Sequence, residues 1–475
     1  MINEINIDDL KLPKNATIHF VGIGGSSMSG IAMIMAARGH RVSGSDVENS
    51  PVIEKLRASG IVVFIGHNEA NIPHSCDLVV YTVAVGDSNP EVLRAASLGI
   101  PVIERGKFLG YLTAEHKYSV AISGTHGKTT TTAMVSTILI DSDYNPAVHI
   151  GGQLGLIGGN YRVSRSDYFV TEACEYHSNF LNLRPYCGTI LNVDREHLDW
   201  FKTYENVEAA FTKFAGIISP EGFLVVCADW PDAVKCAKEG ASSKIVTYSV
   251  RKPSEIPDKC KSDEHYYADN IVLAASGSTF DVYKNGSFIM SCKLNIAGIH
   301  NVSNALAASC IAFGLGCTPE QVSSALELFV GADRRFQIVG TCNGAPVIDD
   351  YAHHPTEIKA TLASARLTSS GTIWGVFQPH TFTRAINCLE DFGKVFKNCD
   401  KVIVTDIYAS REKDNGEINS RLISDYFTEC GIDSTYMKDF TQIAIYLKKN
   451  VKEGDLVITL GAGDVNKIAR MISVM

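Results

Sequence analysis

The chain contains one short glycine-rich segment whose residue types and spacing suit phosphate binding. Gly124 and Gly127 precede Lys128 and Thr129, between the apolar run 118–123 and a helical stretch. Backbone N–H groups at a helix N-terminus attract phosphate, a lysine reaches the outer phosphates, and a threonine hydroxyl suits Mg²⁺. The glycines are closer together than in the usual P-loop. Because strand, loop and helix follow in order, we predict a nucleotide site rather than a chance lysine in a glycine loop.

Two polar residues at predicted strand ends in the same region have side chains that bind cations. Glu172 closes the apolar run 168–171, and His197 follows the run 188–193. α/β sheets hold ligands at the carboxyl ends of their parallel strands, where a carboxylate and a neutral imidazole can bind a metal. Either residue alone is equally well explained as an ordinary polar residue at a strand end. Together, after a phosphate loop, they predict a metal site beside the nucleotide.

A second glycine turn lies near the start of the chain. Gly22, Gly24 and Gly25 follow the first predicted strand, a helix comes next, and the second strand ends at Asp46. This arrangement is typical of a dinucleotide site, but the third position of the fingerprint is Ser27. Two interpretations stay open: the turn binds a nicotinamide or flavin nucleotide, or it holds the diphosphate of a different nucleotide.

The order of the elements predicts an α/β protein with three domains. Short apolar strands alternate with helices, as in doubly wound sheets, and a chain of 475 residues suits about three domains. We expect a Rossmann-like N-terminal domain at 1–112 and a central domain with a P-loop ATPase-type, mostly parallel sheet at 113–330. A C-terminal Rossmann-like α/β domain is expected at 331–475. Alternating strands with an Asn-Gly turn predict hairpins at 267–294.

Composition excludes several classes of function. A net charge of −9 argues against nucleic acid as the main partner. No run approaches about 18 apolar residues, so no membrane span is expected. The polar, acidic segment 1–14 does not resemble a signal peptide, and thirteen scattered cysteines fit reduced thiols. We therefore expect a cytoplasmic protein.

Polar residues also gather at two later places. His300, Asn301 and Asn304 fall on the first turn of a predicted helix, and capping alone would explain only one of them. In the third domain, the predicted strands 345–349, 372–377, 401–405 and 456–460 all end in polar or glycine residues. These ends should share one edge of the sheet and form a second ligand-binding edge.

With these motifs in order, the whole chain resembles the Mur ligase family. The motifs are Gly22-Ile23-Gly24-Gly25 with Met28-Ser29-Gly30, Gly124–Thr130, Glu172-Ala173-Cys174-Glu175, His300-Asn301 with Asn304, Asp350–Thr356 and Phe377–His380. The resemblance implies an ATP-dependent ligase with a UDP-sugar domain, a central ATPase and an amino-acid domain. Within the family it is closest to the branch that joins L-alanine to UDP-N-acetylmuramate in peptidoglycan synthesis, with ATP and Mg²⁺ as cofactors.

The resemblance also implies a role for each matching residue. The ATP phosphates are held by Gly124, Thr125, His126, Gly127, Lys128, Thr129 and Thr130. Mg²⁺ is held by Thr129, Glu172 and His197. The adenine is framed by His300, Asn301 and Asn304. Substrate is bound by Gly22, Gly24, Gly25, Ser26, Met28, Ser29, Asp46, Asp350 and Tyr351. The catalytic set is Lys128, Arg335, His353 and Arg384. Two positions depart from many relatives, which have Asp where Cys174 stands and Arg where Thr381 stands.

Three alternatives stay open at this point. The nearest is a ligase of the same family that adds a preformed peptide in recycling. A nucleotide-dependent switch or scaffold and an oxidoreductase are the others. The assembly also stays open, with a homodimer as one form.

Overall fold

A computed structural model of the chain describes residues 4–86, 88–410, 412–414 and 416–474. The described chain divides into two compact units. The first unit runs through Tyr267 and adds Tyr283–Ile289 and Asn304–Ala325. The second unit comprises Ala268–Val282, Met290–Ser303 and the chain from Leu326 onward. In the described residues no helix is long and apolar enough to cross a membrane.

The first unit begins with a five-stranded, fully parallel sheet. Its elements are β1 (Thr17–Val21), α1 (Ser26–Ala37), β2 (Arg41–Asp46), α2 (Pro51–Ala58), β3 (Val62–Ile65), β4 (Leu78–Tyr81), α3 (Pro90–Ser97), β5 (Val102–Glu104) and α4 (Arg105–Ala114). The strand order is β3-β2-β1-β4-β5. This order is that of a doubly wound sheet, the architecture predicted from the sequence, and every residue of the central strand β1 is buried, as expected with helices on both faces.

The second sheet has ten strands, and the phosphate loop follows its strand β6. Its elements are β6 (Tyr118–Ser123), α5 (Lys128–Asp141), β7 (Ala147–Leu154), β8 (Gly159–Arg162), β9 (Tyr168–Glu172), β10 (Cys187–Ile190), α6 (Leu198–Phe201), α7 (Tyr204–Gly216), β11 (Phe223–Cys227), α8 (Pro231–Gly240), β12 (Lys244–Ser249), β13 (His265–Ala274), β14 (Gly277–Lys284), β15 (Ser287–Leu294), α9 (Ile299–Gly314) and α10 (Pro319–Leu328). The order is β15-β14-β13-β12-β11-β10-β6-β9-β7-β8. Strands β6 and β9 to β12 pair in parallel, as predicted.

The structure adds a hairpin that the sequence did not predict. Strands β7 and β8 pair antiparallel, and β7 also pairs in parallel with β9. Five glycines lie between residues 151 and 159 and hide the strand pattern, because glycine is poor in strands. The hairpin contacts both α1 and α5.

The second unit contains a six-stranded sheet. Its elements are β16 (Gln337–Cys342), β17 (Ala345–Asp350), α11 (Pro355–Thr368), β18 (Ile373–Phe377), α12 (Phe382–Asn387), α13 (Leu389–Val395), β19 (Lys401–Val404), α14 (Ser420–Glu429), β20 (Ser434–Tyr436), α15 (Phe440–Asn450), β21 (Leu456–Leu460) and α16 (Asn466–Val474). The order is β16-β17-β21-β18-β19-β20, parallel except for the β16–β17 pair. The four predicted strands β17, β18, β19 and β21 are adjacent, so their carboxyl ends do share one edge. The sequence did not predict the two edge strands β16 and β20.

Candidate functional site

The phosphate loop connects β6 to α5, and at two of its positions only glycine fits without a clash. Gly127 has φ +85°, and a Cβ there would lie 2.6 Å from Asn304 Oδ1. Gly124 has φ +143°, and its Cβ would lie 2.7 Å from Leu191 Cβ. Gly127 also precedes α5 without any side-chain cap, so the first-turn amides of that helix receive no capping side chain from it. Strand, loop and helix therefore follow in the predicted order, and the helix start is uncapped, as at helix N-termini that bind anions.

Asn192 holds this loop in place through hydrogen bonds, and it was not identified from the sequence. Its Oδ1 accepts a hydrogen bond from His126 N at 2.7 Å, and its carbonyl accepts one from Thr125 N at 3.2 Å. The strand predicted at 188–193 ends at Ile190 because the following residues leave the ladder to hold the loop. An asparagine after an apolar run was the available signal, although it is also a common loop residue.

Lys128 is held by its own loop and by a buried acid. Its Nζ donates to Gly124 O at 2.6 Å, to Thr125 O at 2.9 Å and to Glu175 Oε2 at 2.8 Å. Burial favours the neutral amine, but the neighbouring groups, with Glu175 foremost among them, together outweigh it and raise the pKa of Lys128. The lysine is therefore a fixed positive charge at the loop.

The three predicted metal ligands fall into two places. Glu172 Oε1 accepts from Gly151 N at 2.8 Å, and a Cβ on the next residue, Gly152, would lie 2.8 Å from Thr129 Cγ2. Glu172 and Thr129 thus flank the same two-residue segment of β7. The contacts of His197 include the carboxylates of Glu175 at 3.6 Å and Glu196 at 3.9 Å. His197 is therefore associated with Glu175, beside Lys128.

The N-terminal glycine turn is tied to the end of β2. The amides of Gly22 and Ile23 both donate to Ser45 O at 2.9 Å, and Gly24 N donates to Asp46 Oδ2 at 2.8 Å. The turn ends at Gly25, which precedes α1 without a side-chain cap. Asp46 therefore shapes the turn as well as lying next to it.

One cavity joins this turn to the central sheet within the first unit. It has a volume of about 840 Å³, within the usual range for small-molecule sites. Its lining includes Gly22, Gly24, Gly25, Ser26, Met28, Asp46, His67, Arg105, His149, Gly151, Glu172 and Cys174. Ser29, which was also predicted to bind substrate, is buried in α1 and donates to Ser26 O at 3.0 Å.

A buried polar network supports His67 at the wall of this cavity. The side chain of Glu91 is fully buried, and its oxygens bond His19 at 2.9 Å, Ser45 at 2.6 Å and Asn71 at 2.9 Å. His67 Nδ1 lies 3.0 Å from Ser45 Oγ and 3.3 Å from Glu91 Oε1. The sequence shows Glu91 only as an acid in the first turn of a helix, which is commonplace, so this network was missed.

The three residues predicted to frame adenine lie along the start of α9. Asn304 Oδ1 packs against Gly127, as described above. In the second unit, Asn301 Nδ2 donates to Ala297 O at 2.7 Å, which is a local backbone bond. His300 Nδ1 is buried without a hydrogen-bond partner in the described residues. Burial, and after it Arg335, lowers the pKa of His300 to about 4.

At the carboxyl edge of the sheet in the second unit, Asp350 is a structural acid. Its oxygens accept from Phe336 N and Ala352 N, both at 2.7 Å. Burial raises the pKa of Asp350 to about 6, against the opposing effect of Arg335. Because the backbone uses both oxygens, Asp350 shapes the loop that presents Tyr351.

Arg335, Tyr351, His353 and Arg384 form a cationic and aromatic cluster at that edge. The Arg335 guanidinium lies 5.2 Å from the centre of the Tyr351 ring. His353 Nδ1 is 3.0 Å from Tyr351 O, and its ring centre is 5.6 Å from that of His380. Arg384 Nη1 donates to His380 O at 2.9 Å. The structure therefore brings these four predicted residues together.

Comparison with known proteins decides the family. Three family models match in order: "Mur ligase family, catalytic domain" over residues 17–117, "Mur ligase middle domain" over 122–312, and "Mur ligase, glutamate ligase domain" over 334–463. The chain belongs to the Mur ligase family. The resemblance and the α/β fold class predicted from the sequence are confirmed.

Relatives of this Mur ligase match it along nearly their whole length. A UDP-N-acetylmuramate–L-alanine ligase of Acetivibrio thermocellus is 46% identical, covering 96% of this chain and 95% of the relative. One of Clostridium tetani is 44% identical, covering 98% of each. The crystal structure of a UDP-N-acetylmuramate–alanine ligase of Thermotoga maritima has a TM-score of 0.79 at 30% identity, covering 96% of this chain and 98% of that one.

Proposed function

We propose that this Mur ligase joins L-alanine to UDP-N-acetylmuramate and converts ATP to ADP and phosphate in doing so. Relatives with this activity in their names match at 46% and 44% identity over nearly the whole chain. The observation in the structure that carries the proposal is the 840 Å³ cavity. Its wall runs from the N-terminal glycine turn to Glu172, whose strand adjoins the phosphate-loop strand β6. A sugar nucleotide with its diphosphate on the turn would extend its acyl end toward that strand.

The reaction needs activation of a carboxylate, because a carboxylate and an amine do not condense in water. A carboxylate oxygen of the muramoyl group attacks the γ-phosphorus of ATP, the bond to the β-phosphate oxygen breaks, and ADP leaves. The amine of alanine attacks the resulting acyl phosphate, loses a proton, and phosphate departs. Charge builds first on the phosphoryl oxygens and then on a tetrahedral oxyanion.

The residues near the loop have the charges that this chemistry requires. Lys128 places its ammonium at the loop, where the β- and γ-phosphates would lie, and Glu175 keeps it protonated. The amides in the first turn of α5, which receive no capping side chain from Gly127, would supply further donors. We propose that these groups stabilise the phosphoryl group during transfer.

The oxygen ligands present fit Mg²⁺, which we propose as the metal cofactor. Glu172 and Thr129 lie beside the same segment of β7 and would supply a carboxylate and a hydroxyl, and such hard oxygen ligands suit Mg²⁺. His197 supplies an imidazole, which is a less typical ligand for this ion. When bound, the ion would neutralise charge on the phosphate oxygens.

The three segments have separate tasks in this proposal. Residues 1–112 bind the UDP-sugar, 113–330 bind ATP and 331–475 bind the amino acid. Arg335, His353 and Arg384 provide the cations and the imidazole that would receive an amino-acid carboxylate. The reaction belongs to peptidoglycan precursor synthesis, and we place the protein in the cytoplasm.

An ADP-release assay with each substrate singly omitted tests the proposal. ADP should form only when ATP, UDP-N-acetylmuramate and L-alanine are all present. Replacing L-alanine by a preformed peptide should abolish the signal. Turnover with the peptide but not with L-alanine would favour the recycling branch. ADP release that ignores the amino acid would favour a nucleotide switch.

A further inference from the structure

Gly151 of β7 connects the start of α1, which directly follows the N-terminal glycine turn, to Glu172. Ser26, the first residue of α1, donates from Oγ to Gly151 O at 2.9 Å. Gly151 N donates to Glu172 Oε1 at 2.8 Å. A Cβ at Gly151 would lie 3.0 Å from Glu172 Oε2, so the approach is close. A movement of the start of α1 would therefore change the position of the Glu172 carboxylate.

A second connection runs beside the first, through the buried side chain of His149. Its Nε2 lies 3.2 Å from Ser27 O and 3.1 Å from Ser27 Oγ. Its Nδ1 lies 3.2 Å from Thr171 Oγ1, on the residue before Glu172. Consecutive residues of α1 are thus connected to consecutive residues of β9 by His149 and Gly151.

A neutral imidazole can make both hydrogen bonds in either tautomer. Nε2–H can donate to the carbonyl of Ser27 while Nδ1 accepts from the hydroxyl of Thr171, or Nε2 can accept from the hydroxyl of Ser27 while Nδ1–H donates to Thr171 Oγ1. Burial, and after it the charge of Arg105, lowers the pKa of His149 to about 4. The ring is neutral near pH 7 and can make both bonds.

The rest of the hairpin leaves this region little freedom to move. Asn160 of β8 donates from Nδ2 to Ser26 O at 2.7 Å. A Cβ at Gly30 of α1 would lie 3.3 Å from His149 Cδ2, so helix and ring are in close contact. On the other side, Gly152 packs against Thr129. The hairpin therefore touches the start of α1, directly after the glycine turn, and both residues proposed to supply oxygen ligands for Mg²⁺.

We propose that His149 is a positioning residue that couples binding of the UDP-sugar at the glycine turn to binding of Mg²⁺–nucleotide at Glu172 and Thr129. The inference rests on the proposed function, since it takes its ligands from it. A sugar nucleotide that fixes Ser26 and Ser27 also fixes the β7 segment and, through it, the Glu172 carboxylate. Such coupling is reciprocal, so each ligand raises the affinity for the other by the same factor.

Calorimetry measures this coupling without turnover. The Kd of UDP-N-acetylmuramate is measured with the intact chain, alone and then with saturating Mg²⁺ and a non-hydrolysable ATP analogue. For the unmodified chain we expect the second Kd to be about tenfold lower, within the usual range of coupling between sites. In His149→Ala the ratio of the two values should fall below about twofold, while the Kd of UDP-N-acetylmuramate alone changes by less than the ratio does.

Two conservative variants and one control separate coupling from general damage. His149→Gln can place an amide near the Nε2 position, facing Ser27, and His149→Asn can place one near Nδ1, facing Thr171. Each keeps one end of the connection, so both should lose the coupling. The control is His265→Gln: His265 is also 4% exposed, and its Nδ1 lies 2.9 Å from Thr247 Oγ1. This control should keep the tenfold ratio of the two Kd values, although its melting temperature should fall about as much as those of the His149 variants.

The outcomes distinguish this inference from the function on which it rests. If the unmodified chain does not bind UDP-N-acetylmuramate, the proposed function fails and the inference with it. If the chain binds it but shows no coupling, the inference fails and the function stands. Coupling that persists in folded His149→Gln and His149→Asn also overturns the inference. Should His149→Ala not fold, these two variants decide alone.

Discussion

At the scale of single residues, Lys128 carries the phosphoryl chemistry proposed for the central domain. Its Nζ is held at the loop by two carbonyls and Glu175, and its charge would stabilise the transferring phosphoryl group. We expect Lys128→Ala to lower ADP release by at least about a hundredfold, as loss of a charge at a phosphoryl-transfer site does. The control is Lys244→Ala, at an exposed lysine, and its rate of ADP release should equal that of the unmodified chain. Near-normal ADP release by folded Lys128→Ala would show that the loop assignment is wrong.

Glu172 gives a second prediction at this scale, which concerns the metal. Glu172→Gln keeps the shape of the side chain and an oxygen for Gly151 N but removes the negative charge. We expect the Mg²⁺ concentration for half-maximal rate to rise by about tenfold or more, since carboxylates dominate Mg²⁺ binding in proteins. His197→Ala should raise it as well. The exposed Glu221→Gln is the control, and an unchanged Mg²⁺ dependence in both test variants would leave them with structural roles only.

Residues with a local signal could be predicted, and residues whose roles depend on folding could not. The segment Gly124–Thr130 was recognisable because its conformation depends on neighbours in sequence. His149 and Glu91 were not, because their partners lie far along the chain: Ser27 and Thr171 for one, His19 and Asn71 for the other. Nothing in the neighbouring sequence separates either from an ordinary buried histidine or helix-start glutamate.

At the scale of elements, the strands with strong apolar patterns were predicted to within about three residues of their observed ends. The β7–β8 hairpin was missed because its glycines serve close approaches to Glu172 and Thr129 rather than strand propensity. The edge strands β16 and β20 were missed because the burial of their residues is weak and irregular. Elements were therefore hardest to predict where backbone contacts, not side-chain burial, determine them.

The network that joins β1, β2 and α3 makes the stability of the N-terminal sheet pH-dependent. Burial alone would raise the pKa of Glu91, but hydrogen bonds from His19, Ser45 and Asn71 outweigh it and lower the pKa to about 2. The folded state therefore binds this proton less readily than the unfolded state does. The contribution of Glu91 to the free energy of unfolding is complete above about pH 4.5 and is lost as the pH falls toward 2. It amounts to about 3 kcal/mol.

Urea unfolding at pH 5.5 and pH 3.5 measures this effect. The unmodified chain should lose stability between the two pH values, and Glu91→Gln should lose distinctly less, although it starts from a lower value because its amide donors face other donors. Glu69→Gln, an exposed substitution nearby, should follow the unmodified chain. Equal losses in Glu91→Gln and the unmodified chain would mean that another group controls the acid sensitivity.

At the scale of the whole molecule, the phosphate loop and the cationic cluster belong to different units of the chain. Lys128 and Glu172 lie in the first unit, whereas Arg384 and His353 lie in the second. If the second unit receives the amino acid, a variant there should spare nucleotide binding. The guanidinium of Arg384 is held by His380 and suits an amino-acid carboxylate. The two kinds of variant should therefore fail at different steps.

We expect Arg384→Ala to lower kcat/KM for L-alanine by about 10- to 100-fold, the usual effect of losing a hydrogen bond to a charged group. The Kd of the Mg²⁺–ATP analogue should stay within about twofold by calorimetry. Arg366→Ala removes a half-exposed arginine that pairs with Asp400 in the same unit, and both quantities should be unchanged. If Arg384→Ala weakens the ATP analogue as much as it weakens L-alanine, the second unit has no separate role in receiving the amino acid. Unchanged kinetics would remove Arg384 from the site, and His353 with Arg335 would then have to bind the carboxylate.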